Sequence, residues 1–496
     1  MVLECNRQPG NREERRSASG SDGRRRSVQP QQNMSRRGKL AETEDDGPTP
    51  SKLPHPNEPP LDFTSPQSLF ESFIAPMTSE EFFTYYWEKK PLLIQRSDPA
   101  IQSYYQSLFP MTDLKLASGK GIYYGRDVNM CKCKNGKKVL LPRRGKANYL
   151  EILKDFRTSR ATIQFHQPQR FNDKLWQIME KLECFFGALV GCNVYITPTR
   201  SQGLPPHHDD VEVFILQVEG QKRWRLYEPL VQLAREYDVS PADKVTTPTH
   251  DILLKEGDLL YFPRGTIHEA ETPANSPHST HVTISTYQNN SWVDYLQDVM
   301  PALLRDAAKE SVDLRKGIPR QQLLCLDPSR AGVTLSALLS DIGKRIEGKC
   351  QLRSCEMLRD FMGSRLPPYL DVDSSDQEKS DAPPNLNSTI SLQYKDYAAV
   401  TTDLAPEAPE PSEELMIYVF HALKNKRKTH MVSDNEESPP VSGLRFPLSY
   451  MDALKALWCE KPVRVKDLPL LNDRDKENLA ISLWSEGLLE TVPAEA

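Results

Sequence analysis

Leu204-Pro205-Pro206-His207-His208-Asp209-Asp210 is followed further along the chain by Phe262-Pro263-Arg264-Gly265-Thr266-Ile267-His268. Residues two apart on a strand project to the same side. His207 and Asp209 therefore form one ligand pair, and His208 and Asp210 form another with the same spacing. Pro205-Pro206 ends directly before His207 and puts it at a loop-to-strand mouth, which favours the first pair; spacing alone leaves the second open. The Pro263-Arg264-Gly265 turn returns a distal histidine, His268, towards the first motif. His278 and His281 compete for that role, His281 from the last strand of the region. Two imidazoles and one carboxylate suit ferrous iron and leave coordination positions for a cosubstrate and dioxygen, whereas structural zinc takes four ligands and commonly cysteine. One His-x-Asp among 10 histidines carries little weight. Joined to the second motif, it points to an oxygenase.

The surrounding residues, 161 to 290, read as many short strands. Ala161–Phe165, Asn193–Thr197, Asp210–Val218, Lys222–Tyr227 and His281–Tyr287 are rich in β-branched and aromatic residues. Glycine and proline punctuate them, with turns at Gly220 and Gly257-Asp258. Short strands at this spacing argue for a sandwich or small barrel rather than a βαβ sheet. Cys131-Lys132-Cys133 lacks zinc-ribbon spacing and reads as a strand or hairpin feature. Upstream, Phe82 to Lys90 reads as a helix ended by Pro91 and followed by a strand.

An open iron position calls for a chelating cosubstrate. A 2-oxo acid binds through its keto and C1 carboxylate oxygens, and its remote carboxylate then needs a cation. Lys222 is the inward candidate on its strand, and Arg223 faces the other side. A buried ammonium is costly unless paired, so a solvated edge lysine is the competing reading. Asn193 and Tyr195 share one face of their strand, and Thr283 and Ser285 share one face of theirs.

The chain has 496 residues, 38% hydrophobic and 26% charged, with a net charge of -5. That length suits two or three domains, and the charge excludes a polycation built to coat nucleic acid. No stretch approaches the roughly 18 apolar residues of a membrane span, so no membrane association is expected. Nine cysteines and the absence of a signal-like start point to a reducing, intracellular setting. Residues 1–60 read as a disordered basic tail with clusters at Arg24-Arg25-Arg26 and Arg36-Arg37-Gly38-Lys39, either import signals, an RNA contact or a solvated tail. Residues 61–295 form the strand-rich domain. Residues 296–366 read as helical, with Leu335, Leu338, Leu339, Ile342 and Ile346 on one side, either packed on the strands or forming a dimer seam. Residues 367–387 are a Pro, Asp and Ser-rich loop, and Asn435–Pro440 is another. Residues 388–496 read as a winged-helix-like unit, with a Ser449-capped helix to Trp458, an extended piece at Val463–Leu468 and a helix over Glu477–Glu486 stopped by Gly487. Mixed charge along those helices argues for a protein-contact or structural role over nucleic-acid recognition, which needs a basic face.

Four stretches carry a family resemblance: Tyr86-Trp87-Glu88-Lys89-Lys90-Pro91-Leu92, Leu204 to Glu212, Tyr261 to His268, and Ser285-Thr286-Tyr287-Gln288-Asn289. The chain resembles the JmjC-type 2-oxoglutarate and Fe(II) oxygenases, specifically the ribosomal oxygenases, from about Thr64 to Glu490. The resemblance implies an α+β multidomain chain: a double-stranded β-helix (JmjC, cupin-like) barrel, a helical dimerisation domain and a C-terminal winged-helix domain. It implies His207, Asp209 and His268 as iron ligands, and Lys222 as the group that binds the remote carboxylate of 2-oxoglutarate, assisted by Asn193, Tyr195 and Thr283. It implies a substrate pocket near Asn129, Gln164, Tyr237 and Ser285. The activity implied is 3-hydroxylation of a histidine in a large-subunit ribosomal protein, using Fe(II), 2-oxoglutarate and dioxygen, by a homodimer in the nucleus and nucleolus. Histone H3 lysine-9 demethylation, or a non-enzymatic chromatin role with histone or pre-ribosomal association, is the alternative.

Overall fold

The computed structural model describes residues 60–240, 245, 247–324, 328–347, 355–370, 382–404, 415–432, 441–459 and 461–492. The basic tail, most of the 367–387 loop and the Asn435–Pro440 loop lie outside the described residues. In chain order the strands that build the site are β1 (Leu92–Ile94), β2 (Val128–Lys134), β3 (Lys137–Leu140), β4 (Thr162–His166), β5 (Val190–Pro198), β6 (Ser201–Gln202), β7 (His207–His208), β8 (Glu212–Gly220), β9 (Lys222–Tyr227), β10 (Asp238–Val239), β11 (His250–Leu254), β12 (Leu259–Phe262), β13 (Ile267–Thr272) and β14 (His278–Thr286). They form two antiparallel sheets. The larger runs β1-β12-β8-β14-β5-β4-β2-β3 and the smaller β10-β7-β13-β9-β11, with β6 against β13.

Why the sheets pack face to face is visible in β8. Val213 and Ile215 cluster with Trp224, Leu226 and Leu254 of the smaller sheet. Phe214, Leu216 and Val218 point the other way, into a core shared with Phe70, Phe82, Ile178 and Leu182. Those four lie on helices Pro66–Ile74, Ser79–Tyr85 and Asp173–Phe186, which cover the outer face. A strand covered on both sides carries a near-continuous apolar run, here Val213 to Leu216, which is why its alternation is imperfect in the sequence. Gly220 turns the chain from β8 to β9 at φ +63°, where a Cβ would stand 2.2 Å from the His278 carbonyl oxygen. Cys131 and Cys133 lie in the β2–β3 hairpin.

Some boundaries differ from the sequence expectation. The helix expected to reach Pro91 spans Ser79–Tyr85; a Thr78–Glu81 capping box starts it, and non-helical turns follow Tyr86. The strand expected from Asp210 begins at Glu212. Ser449 lies in a 3-10 turn, Leu448–Tyr450, and does not cap the following helix Met451–Leu457. The extended piece after it is only Val463–Arg464, and the last helix starts earlier, over Asp473–Ser485.

Beyond β14, helices span Trp292–Glu310, Gly332–Glu347 and Cys355–Ser364. Ile342 is buried, whereas Leu335 and Leu339 remain more than half exposed. The C-terminal part has two three-stranded sheets. β15 (Thr389–Leu392) lies between β19 (Val463–Arg464) and β20 (Leu489–Val492), and β17 (Leu415–His421) lies between β16 (Ala398–Leu404) and β18 (Ser442–Pro447). Ile390, Ile417, Leu454, Leu479 and Leu483 form its core.

A buried polar latch joins this part to helix Asp173–Phe186. His430 Nε2 bonds Glu183 Oε1 at 2.8 Å, and Leu366 N–H donates to Glu183 Oε2 at 2.7 Å. Gln169 Nε2 donates to His430 Nδ1 at 2.7 Å, which leaves the proton on Nε2 for Glu183. The Tyr397 hydroxyl donates to Glu180, whose carboxyl burial pushes up to about 7. Val190 N–H also donates to Glu183 Oε1, at 3.2 Å, so Glu183→Ala strands three buried donors and is expected to cost about 3 kcal/mol or more. Calorimetry checks this; an unchanged Tm would mean that the latch carries no stability.

Candidate metal centre and cosubstrate pocket

His207 and His268 are cross-strand partners on β7 and β13, with ring centroids 4.2 Å apart. His207 Nδ1 donates to the Pro205 carbonyl at 2.8 Å, and His268 Nδ1 donates to the Thr266 carbonyl at 3.0 Å. Carbonyls only accept, so both Nε2 atoms keep a lone pair for a metal. Burial lowers the pKa of both rings, that of His268 to about 4, and keeps them neutral. Asp209 lies just past β7 rather than on a shared strand as the spacing suggested, because β7 is only two residues long. Its Oδ2 stands 3.6 Å from His268 Nε2. Its buried Oδ1 has no hydrogen-bond partner. Burial alone would raise its pKa, but attraction to His207 and His268 in their protonated forms at low pH outweighs that and lowers it.

Donor atoms of His207, Asp209 and His268 all lie within 4.8 Å of one another, the one such cluster of three among the described residues. Two neutral imidazole nitrogens and a carboxylate oxygen without a protein donor fit a divalent ion such as Fe(II). The competing pair is not part of the cluster, and Asp210 accepts from Gln288 Nε2 at 2.8 Å. His278 is taken up by Glu219 at 3.1 Å.

The loops carrying the triad are tied together. Gly265 N–H donates to the Asp209 carbonyl at 2.9 Å. Gly265 sits at φ +84°, where a Cβ would meet the Val231 carbonyl oxygen at 2.5 Å. The buried Arg264 guanidinium donates to Glu88 at 2.6 Å and Glu212 at 2.9 Å, and the Tyr261 hydroxyl donates to Glu212 at 2.6 Å. This network explains why Arg264 stands in the turn before the distal histidine.

Beside the triad a pocket of about 480 Å³ opens between the sheets. Lys222 projects into it from β9, 3.1 Å from Thr197 Oγ1 and 3.2 Å from His281 Nδ1. Burial lowers its pKa to about 7, and no carboxylate forms an ion pair with it among the described residues. Arg223 projects outwards to Asp251 at 2.6 Å. The Tyr195 ring stacks on His281 at 5.0 Å, and Gln164 Nε2 donates to its hydroxyl at 3.1 Å. Thr283 also lines the pocket.

Register sets these groups in rows across the larger sheet. Asn129 pairs with Gln164, Gln164 with Tyr195 and Tyr195 with His281. The neighbouring row is His166, Asn193 and Thr283. His166 bridges the rows: its Nδ1 lies 2.8 Å from Asn193 Oδ1 and its Nε2 3.0 Å from Asn129 Nδ2. An amide oxygen only accepts and an amide nitrogen only donates, so Nδ1 carries the proton. Burial drops the pKa of His166 to about 4. Ser285 is buried on β14 opposite Gly191. The Tyr237 ring lies 5.7 Å from the His207 ring, outside the pocket lining.

The JmjC domain family model matches residues 164–293, and a ROXA-like winged-helix model matches residues 351–455. Ribosomal oxygenase 2 of Rattus norvegicus is 55% identical over 87% of this chain and 93% of its own length. The Bos taurus protein of that name is 54% identical, and the Mus musculus one 53%, with the same coverage. The chain belongs to the ribosomal oxygenase family. As a ribosomal oxygenase with a JmjC domain and a His-Asp-His cluster, it is a 2-oxoglutarate- and Fe(II)-dependent oxygenase.

Sequence reasoning about this ribosomal oxygenase passed over His166, Thr197, Trp224 and Arg264. Period-two alternation was the available signal for the first three, since each shares a strand face with a residue that was chosen. The Lys222 environment gives the ribosomal oxygenase a pH signature. The ammonium is the form that attracts a carboxylate, and in the free pocket it is lost as pH rises through about 7. Binding the dianion above that pH requires proton uptake. The 2-oxoglutarate Kd is therefore expected to be lowest below pH 7 and to rise up to about tenfold per unit above it. Titration calorimetry across pH 6–9 checks this, and a flat profile would contradict it.

Proposed function

We propose that this chain is a protein histidine 3-hydroxylase acting on a large-subunit ribosomal protein in the nucleus and nucleolus. The observation that carries the reading is the pair of polar rows holding Asn129, Gln164 and Tyr195 in one and His166 and Asn193 in the other, which reach the metal pocket at Tyr195. A neutral imidazole offers one donor and one acceptor, which amides and hydroxyls match. A methylated lysine instead needs aromatic faces or carboxylates around its cation. This pocket already holds a buried ammonium, Lys222, so its lining gives no support to the demethylase reading.

His207, Asp209 and His268 are the proposed ligands. When bound, the iron with 2-oxoglutarate and dioxygen supplies the oxidising chemistry, yielding succinate, carbon dioxide and a hydroxylated carbon. Lys222 pairs with the remote carboxylate, and Thr197, Tyr195, Asn193 and Thr283 fix its orientation. Val213, Ile215 and Trp224 keep water from that end. Asn129, Gln164, Tyr237 and Ser285 are proposed to hold the substrate segment. Mass spectrometry separates the readings: a ribosomal-protein peptide should gain one oxygen on histidine, and a trimethylated histone H3 peptide should keep its methyl groups. Loss of methyl groups without hydroxylation would overturn the proposal.

The two facing sheets are taken as a double-stranded β-helix within residues 61–295, with 388–496 as the winged-helix domain. Residues 296–366 are proposed as a dimer seam, supported by the exposure of Leu335 and Leu339 on one helix face. Leu339→Glu should shift a wild-type dimer towards monomer in light scattering. A monomeric wild type at micromolar concentration would sink the seam.

A further inference from the structure

The hairpin that delivers Asn129 is the most basic stretch of an acidic chain. Residues 132–146 contain seven cations, Lys132, Lys134, Lys137, Lys138, Arg143, Arg144 and Lys146, and no carboxylate, against a whole-chain charge of -5. Two are engaged locally: Arg143 with Asp155 at 2.8 Å, and Lys132 with the Ser159 carbonyl at 2.8 Å. Lys134, Lys137, Arg144 and Lys146 are exposed and make no ion pair among the described residues.

Register shows how this charge lies relative to the site. Asn129, Cys131 and Cys133 share one face of β2, and Lys138 pairs with Cys133, so Lys138 stands on the site face. Its charge depresses the pKa of both His166 and His207. Lys134 and Lys137, cross-strand partners, face the other way. Tyr123 bridges to Lys146 and is 44% exposed, with the Arg126 guanidinium 4.9 Å from its ring centroid. The hairpin therefore presents a cationic surface with an accessible aromatic ring, continuous with the strand that enters the substrate pocket.

We propose that this surface binds the phosphate backbone of RNA, so that the enzyme meets its substrate segment alongside an RNA strand. The substrate context rests on the ribosomal reading above. Basic side chains around an exposed aromatic suit a single strand, with phosphates on the cations and a base stacked on the ring. An acidic polypeptide would use the cations but has no base for Tyr123.

The test uses the full chain and a fluorescein-labelled single-stranded RNA of about 20 nucleotides, long enough to span several contacts. Combining Lys134→Gln, Lys137→Gln, Arg144→Gln and Lys146→Gln removes four cations. Anisotropy should show at least tenfold weaker binding at 0.1 M salt and a log Kd against log salt slope smaller by about 3. Tyr123→Ala should weaken RNA binding several-fold and leave polyglutamate binding unchanged. Histidine hydroxylation of an isolated peptide, measured in parallel, should survive all five substitutions. RNA affinity unchanged in the fourfold variant would overturn the proposal. Equal effects on RNA and polyglutamate, with no effect of Tyr123→Ala, would also overturn it and assign the surface to an acidic protein. Failure of wild-type peptide hydroxylation would sink the substrate reading while leaving the RNA result to stand or fall alone.

Discussion

Asp209→Ala is expected to abolish 2-oxoglutarate-dependent succinate release while leaving a folded protein. The substitution removes the only carboxylate of the three-residue cluster. Loss of outer partners alone commonly costs about 10–100-fold in metal affinity or activity, so loss of this oxygen should exceed about 100-fold. Its Oδ1 makes no protein hydrogen bond, so no buried donor is orphaned there and the Tm should change little. Mn(II) titration gives a readout independent of turnover. Asp210→Asn is the control, because Asp210 bonds Gln288 and not the cluster. Full succinate release by Asp209→Ala, or loss confined to the Asp210 variant, would move the centre.

Lys222→Ala is expected to raise the 2-oxoglutarate requirement by about 100-fold, the value of a charge-assisted contact worth up to about 3 kcal/mol. Among the described residues no second cation lines this pocket: Arg223 projects from the opposite face of β9 and is held by Asp251. The same substitution should flatten the pH dependence of cosubstrate binding. It should not weaken the fold, because a buried ammonium without a carboxylate partner opposes folding. An unchanged cosubstrate requirement would show that another group holds the remote carboxylate.

The sequence carried much of the site because the strand period fixes which side chains share a face. The shared faces of Asn193 with Tyr195 and of Thr283 with Ser285, and the opposite directions of Lys222 and Arg223, were readable in that way; Pro205-Pro206 favoured His207, and the turn at Pro263-Arg264-Gly265 pointed to His268. Helix and strand limits were less legible. The capping box at Thr78 started a helix earlier than Phe82, and the turns after Tyr86 ended it before Pro91, where propensity would have carried it.

The sequence by itself determined the ligand types, their spacing, the strand-rich class of the central region and, through its family motifs, the oxygenase chemistry. Tertiary structure alone decided which of the paired candidates meet. His208 and Asp210 have the same spacing as His207 and Asp209, and only the pairing of β7 with β13 brings His268 to His207. It also decided the tautomers, since the carbonyls of Pro205 and Thr266 fix the Nδ1 protons. Register across β2, β4, β5 and β14 put Asn129, Gln164, Tyr195 and His281 in one row from four separate stretches of chain. The latch between Glu183 and His430, 247 residues apart, is of the same kind. Spacing along a chain encodes direction within one element, whereas contact between elements depends on how their buried faces pack.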